Sequence, residues 1–308
     1  MLEIIARDRK FQFSKYYKIT SALSVGAVLV SLYLVFLGKG PNYGVDFRGG
    51  AEIQVGFERE VNLGELRAAL SSEGIASASV QTIEGTTGHN YLIRVQADEK
   101  NLNEMTEKIS QILEGRFAAQ GPDRDRFKKD IVGPKAGAEL RKSGFLAMLW
   151  ALLAIFIYIG LRFDIKYSPG AIMALAHDVI IVCGIFVITD KEFNLQIVAA
   201  LLAIIGYSVN DTVVVYDRVR EHEEKFQGLD IKTHIDNATS ETLSRTLLTS
   251  GTTLLVSLMM FFVGGGGISD FFFAISIGVL VGTYSSIFVA APTTLLFEKL
   301  RARQQKTA

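Results

Sequence analysis

In "GYSVNDTVVVYDR", residues 206–218, Asn210 and Asp211 interrupt an apolar run that resumes at Val213. On a helix, Tyr207, Ser208 and Asp211 stand at i, i+1 and i+4 and form one polar stripe, with Ile205, Val209 and Val213 on other sides. An ionised Asp in hydrocarbon costs about 2.5–3.5 kcal/mol on insertion scales, so it needs a partner or a task. The task that suits it is taking up and releasing protons, because desolvation favours the neutral acid and a nearby cation favours the carboxylate. The structural alternative locks Asp211 in an ion pair or in hydrogen bonds to Asn210 and hydroxyls.

Arg245, in "ETLSRTLLTSGTTLL", is the cation on the same side of the membrane, and Glu241 one turn earlier competes for it. His177 and Asp178 are adjacent in another apolar run and point about 100° apart. They read first as a structural hydrogen-bonded pair and second as a proton relay. Ser269 and Asp270 read as a helix N-cap, and Ser168 with Pro169 as a helix start. The stretch "GPNYGVDFRGG", with Gly44, Gly49 and Gly50 around Asp46, lacks the glycine spacing of a phosphate-binding loop and reads as a tight turn ahead of a strand. His89, His177, His222 and His234 are scattered, and residues 39–142 contain no metal-ligand spacing, Walker loop or nucleophile elbow. No metal, cofactor or hydrolytic site is expected.

The elements that position these groups follow from uncharged tracts too long for a soluble core. Residues 19–38 and 143–161 each suffice to cross about 30 Å of hydrocarbon. A third tract ends before Asp190, a fourth covers 193–216, and only Asp270 breaks the region between Arg245 and Glu298, which folds as two more. The first tract is too long for a cleavable signal and its exit "FLGKGPNYG" offers no small-x-small site, so it reads as a retained anchor. Gly278 and Gly282, followed by Ser285 and Ser286, give the sixth span a small face for close helix contact, and Pro292 bends it near its end.

Residues 39–142 form the one soluble domain. Strands at "AEIQVGF", "SASVQTI", "NYLIRVQA" and "FKKDIVG", with helices over 62–73 and 101–118, give the order β-α-β-β-α-β of a ferredoxin-like unit. Cys183 is the single cysteine, so this domain is held by its own core and not by disulfides. The expected class is an α-helical polytopic membrane protein of six transmembrane helices arranged 1+5, with one α+β ferredoxin-like external domain after the first span. Basic residues cluster in both tails, in the second–third connection and in the fourth–fifth connection, which places both termini in the cytoplasm and residues 39–142 in the periplasm. The divisions are a tail at 1–18, a first helix at 19–38, the external domain at 39–142, five helices within 143–297 and a tail at 298–308. With 32 basic and 32 acidic residues the net charge is zero, which excludes a general affinity for nucleic acid.

Taken in order, "NYGVDFRGGAEIQV", "VGPKAGAELRKSG", "LAHDV", "GYSVNDTVVVYDRVRE", "SRTLLTSGTTLL" and "GTYSSIFVAAP" resemble the SecF family, the smaller subunit of the bacterial SecDF protein-export accessory complex. "LAHDV" and the short amino-terminal tail depart from the usual pattern. The resemblance implies a partner, SecD, association with the SecYEG channel and the translocating preprotein, residence in the bacterial inner membrane, and use of the proton-motive force. It also implies that Asp211 and Arg245 serve proton passage, with Asn210, Ser208, His177 and Asp178 as supporting polar groups. The family is related in membrane architecture to the resistance-nodulation-division transporters, and the rival expectation is a proton-coupled exporter of a small molecule or lipid.

Overall fold

The computed structural model describes residues 10–75, 78–83, 88–95 and 101–307. Arg7 and Arg9 of the basic tail and the strand-end residues Ser77, Gln96 and Ala97 lie outside them. Among the described residues, six helices are long and apolar enough to cross a membrane: Tyr17–Leu37, Pro134–Arg162, Ser168–Ile188, Leu195–Lys225, Ile231–Val263 and Gly266–Arg301. The first is α1 (Tyr17–Leu32) extended by a π turn at Tyr33–Leu37. Next come α5 (Pro134–Arg162), α6 (Ser168–Ile188), α7 (Leu195–Lys225) and α8 (Ile231–Val263). The last is α9 (Gly266–Ser285), a π turn at Ser286–Ala290, and α10 (Ala291–Thr307), so Pro292 stands where a helix restarts.

Three helices overrun the uncharged tracts. α5 begins at Pro134 in its first turn, α7 continues to Lys225, and α8 starts at Ile231, well before Arg245. Charge marks where hydrocarbon ends, not where a helix ends. Beyond the tract, α7 is sustained by pairs such as Arg220 Nε to Glu224 at 3.1 Å and Lys225 Nζ to Glu221 at 2.6 Å. The helices are unequally covered. Half of the apolar window of α6 and of α7 is buried, against 11% for α1 and for α5 and 17% for α8, so α6 and α7, with α9, form the centre of the bundle.

Outside the bundle, β2 (Gly50–Phe57), α3 (Leu63–Ser72), β3 (Ser79–Ile83), β4 (His89–Val95), α4 (Leu102–Arg116) and β5 (Pro122–Val132) build one unit. Its sheet has the order β3-β4-β2-β5 and every neighbouring pair is antiparallel, with Ile53 opposite Ile93. Alternation puts Ile53, Val55, Ile93 and Val95 on the face covered by Leu66 and Leu70 of α3 and by Ile109 and Leu113 of α4. Each such fully buried side chain contributes about 1.5–3 kcal/mol. Asn62 caps α3 by accepting from the Gly64 N–H at 2.7 Å. The Tyr91 hydroxyl donates to Val61 O at 2.8 Å and accepts from Val61 N at 2.9 Å, so the buried phenol is satisfied.

Between α1 and β2 the chain forms a two-residue strand β1 (Asn42–Tyr43) and a single helical turn α2 (Val45–Arg48). β1 pairs in parallel with β6 (Glu192–Phe193), which precedes α7. Gly49 (φ 81°) and Gly50 (φ 151°) then turn the chain into β2. A Cβ on Gly49 would lie 2.6 Å from the backbone of Pro134, and one on Gly50 2.4 Å from Val95 O, so both positions need glycine for conformation and for space.

Candidate functional site

The polar groups of the bundle converge on α7. Asn194 starts this helix by accepting from the Ile197 N–H at 3.1 Å. Seventeen residues on, Asp211 is 3% exposed. Ser250 of α8 adjoins it, and Arg245 of the same helix is near enough for its charge to act on the carboxylate. The second carboxylate oxygen, Oδ2, is buried with no partner among the described residues. Tyr207, one turn before Asp211, donates to Ser250 Oγ at 3.3 Å, and Ser250 is hydrogen-bonded to Thr283 of α9 at 2.7 Å.

Ser208 leaves this group. Its hydroxyl donates to Asp178 Oδ2 at 2.6 Å, so the stripe expected from Tyr207, Ser208 and Asp211 is divided between two neighbours. Adjacent residues project about 100° apart, which sends Tyr207 with Asp211 toward α8 and Ser208 toward α6. Asp178 also accepts from Ser285 Oγ of α9 at 2.8 Å, and its other oxygen is 3.0 Å from His177 Nδ1. The close approach depends on glycine: a Cβ on Gly278 would lie 2.3 Å from Ile204, and one on Gly282 3.1 Å from Ser208. Asn210 faces outward, away from the carboxylate it precedes.

Three local expectations are corrected. Glu241 does not pair with Arg245; it accepts from Arg218 Nε at 2.8 Å and lies 2.9 Å from His222 Nε2, because its side chain turns toward the charged extension of α7. Arg245 is exposed on α8 and forms no ion pair among the described residues. Asp270 is not an N-cap, since α9 already begins at Gly266; it binds Lys191 Nζ at 2.5 Å, and Ser269 donates to Phe261 O. Pro169 does stand in the first turn of α6, but Ser168 is itself helical and caps nothing. Among the described residues no group of His, Cys, Asp and Glu is arranged to hold a metal ion.

The site thus joins a caged carboxylate, Asp178, and an incompletely partnered one, Asp211, on adjacent helices. Residues 112–300, most of the helical part that carries both, match the family model described as protein export membrane protein SecD/SecF, C-terminal. Residues 34–61 match the SecD/SecF GG motif. The chain belongs to the SecF family. A protein translocase subunit SecF of Desulfurispirillum indicum is 40% identical over 276 residues, covering 88% of this chain and 87% of that protein. One of Calditerrivibrio nitroreducens is 38% identical, covering 98% of this chain and 99% of its own. The crystal structure of SecDF, a translocon-associated membrane protein of Thermus thermophilus, superimposes with a TM-score of 0.81 at 32% identity; it covers 96% of this chain, which spans 40% of that longer one. As a SecF-family member, the chain is a multi-pass protein of the bacterial inner membrane and an accessory subunit of Sec protein export.

The sequence singled out Asp211, Arg245, His177 and Asp178 but not Ser250, Thr283 or Ser285 as partners. Hydroxyls recurring in "LLTSGTTLL" were the available signal. Such residues also bond back to their own helix, as Thr249 does to Arg245 O at 3.1 Å, so their presence alone did not single out Ser250.

Proposed function

We propose that the chain works with SecD beside the SecYEG channel and uses the proton-motive force to complete translocation of preproteins, with Asp211 and Arg245 carrying the proton step. The observation that carries this reading is the buried Asp211 Oδ2, without a partner among the described residues, beside the Arg245 cation, which forms no ion pair among them. Approach of Arg245 stabilises the carboxylate, and its withdrawal leaves a buried acid that keeps its proton. Each charge moved across the field is worth about 2.3 kcal/mol per 100 mV, which is the work available to the cycle. Ser208, His177 and Asp178 hold α6, α7 and α9 together around this step, and Asn210 faces the partner subunit or lipid.

The remaining assignments are of one piece with it. The external unit is ferredoxin-like, a reading supported by the β-α-β-β-α-β order and by the sheet order β3-β4-β2-β5. It lies in the periplasm between one span and five, with both termini cytoplasmic, as the basic residues of the connections require. The divisions 1–18, 19–38, 39–142, 143–297 and 298–308 stand as functional units, although α5 reaches back to Pro134. The subunit has no hydrolytic chemistry of its own.

The test is preprotein export in energised membrane vesicles containing the whole complex. Asp211→Asn should leave insertion and SecD pairing intact and abolish the proton-driven stimulation, and Arg245→Ala should do the same. Normal export by Asp211→Asn across collapse and restoration of the gradient would overturn the reading.

A further inference from the structure

The segment 42–50 grips the bundle on one side and the external sheet on the other. Toward the bundle, Asn42 and Tyr43 of β1 pair with Glu192 and Phe193 of β6, and the Gly44 N–H donates to Phe193 O at 2.9 Å. Asp46 Oδ2 then accepts the Leu195 N–H at 2.9 Å. Leu195 is the first residue of α7, whose own cap, Asn194, serves Ile197 instead. An otherwise free N–H at the positive end of α7 is therefore satisfied by a carboxylate from a distant segment. Phe47, 2% exposed, is buried against Phe193, Ile197 and Val198. Toward the sheet, the segment runs through Gly49 and Gly50 directly into β2 with no intervening linker. A second strut reinforces it: Arg94 of β4 pairs with Glu192 as well as with Glu52 at 2.7 Å.

A cleft opens beside the same segment, with Asn42, Tyr43 and Glu192 in its lining. Ser79, Gln81 and Arg94 face Gly265, Ser269 and Asp270 at the α8–α9 turn across a cleft of about 440 Å³. The domain is thus fastened to the end of α7 on one side of this cleft and meets the α8–α9 turn on the other, where Ile83 of β3 lies near Gly266. Helix α7 runs unbroken from Leu195 past Asp211, a rise of about 24 Å, so a tilt or shift at Asp211 is delivered at Leu195.

We propose that Asp46, with the 42–50 segment around it, is the joint by which α7 moves the external domain, the cleft being the side that opens and closes. Asp46 is a positioning residue for the proton-driven step, and this inference rests on the proton reading of Asp211. The role differs from a passive turn: it requires the hydrogen bond to Leu195 to persist through the cycle and the cleft to respond to the state of Asp211.

The test uses the full chain in membranes with its partner subunit and the Sec channel, in a Cys183→Ala background. Gln81→Cys with Ser269→Cys reports closure of the cleft through the rate of disulfide formation. Asp211→Asn should change that rate about tenfold, the factor that 1.4 kcal/mol of population shift supplies. Adding Asp46→Ala should erase the change and reduce gradient-stimulated export by a similar factor, while Asp46→Asn, which keeps an oxygen acceptor for the Leu195 N–H, should retain most of both. Asp46→Ala with export stimulation and cleft response intact would overturn the joint, and so would equal losses in Asp46→Ala and Asp46→Asn. If Asp46→Ala fails to accumulate, Asn42→Cys with Glu192→Cys decides the matter. Oxidation locks β1 to β6 and should leave the stimulation of the same reduced protein unchanged; its loss on oxidation would mean that the two strands must part, contrary to the proposal. Failure of Asp211→Asn to affect export would instead remove the proton reading and leave the Asp46 variants to judge the joint alone.

Discussion

Asp178 and Asp211 are carboxylates of equal depth and unequal company. Asp178, 1% exposed, takes hydrogen bonds from Ser208 and Ser285 and a contact from His177, drawn from three different helices. Asp211, 3% exposed, has Ser250 and Arg245 nearby and one oxygen with no partner among the described residues. A buried polar group with its partners in place fixes the elements that supply them, and one without stays poised to exchange. The same bundle therefore holds one carboxylate bonded across three helices and one that the proposed proton step requires to change state.

The largest expected effect comes from emptying the cage. Asp178→Ala strips Ser208, Ser285 and His177 of their common acceptor; Ser285 keeps Gly282 O, and at about 1–3 kcal/mol for each of the two polar groups left unmet the loss is about 2–6 kcal/mol. Thermal unfolding of the complex in mild detergent should show it, and Asp211→Ala should show at most a third as much. The reverse order would break the comparison. Gly278→Leu comes next: its Cβ starts 2.3 Å from Ile204, so α9 must back away from α7 at about 1–3 kcal/mol. That displacement should pull Ser285 from Asp178, visible as faster hydrogen exchange in the adjoining turn of α6.

A third carboxylate, outside the membrane, sharpens the contrast. Burial pushes Glu192 above the ordinary range of a glutamate, and Arg94 only partly opposes it. A raised acid means that the folded arrangement disfavours the ionised form. The folded arrangement around Glu192 therefore loses stability as pH rises from the usual Glu range through the raised value, with the pair to Arg94 offsetting part of the loss. Hydrogen exchange at β1 and β6 followed against pH should show protection falling in that window, and Glu192→Gln should flatten the profile. The smallest effect belongs to Glu241→Ala. Its pair with Arg218 is about one-third exposed and worth under about 1 kcal/mol, so even with the contact to the buried His222 lost, export and melting should move little.

Legibility followed the range of the forces involved. The spans were readable because hydrocarbon demands a local property, an uninterrupted apolar run, and Asp211 stood out by violating it. The helix ends at Pro134, Lys225 and Ile231 were not, since an amphipathic helix continues into water without a break in pattern. Partners were the least legible. Nothing near Asp178 in sequence announces Ser208 or Ser285, and Tyr207 and Ser208 part company only because α6 and α8 flank α7 on different sides. The same holds for Asp46, whose partner Leu195 is 149 positions away. Its glycine-rich neighbourhood spoke of a turn, which Gly49 and Gly50 do make, and was silent about what the turn would grip.

The glycine face of α9 has a consequence for how the protein is made. Synthesis delivers α6 and α7 to the membrane before the residues that complete them, because Ser285, Gly278 and Gly282 all belong to the last span. Until that span arrives, Asp178 has lost one of its donors and Ile204 and Ser208 have lost the surface they rest on. The nascent bundle therefore closes from its carboxyl-terminal end, and a ribosome halted before residue 266 leaves behind a set of helices whose central polar groups are still waiting for their counterpart.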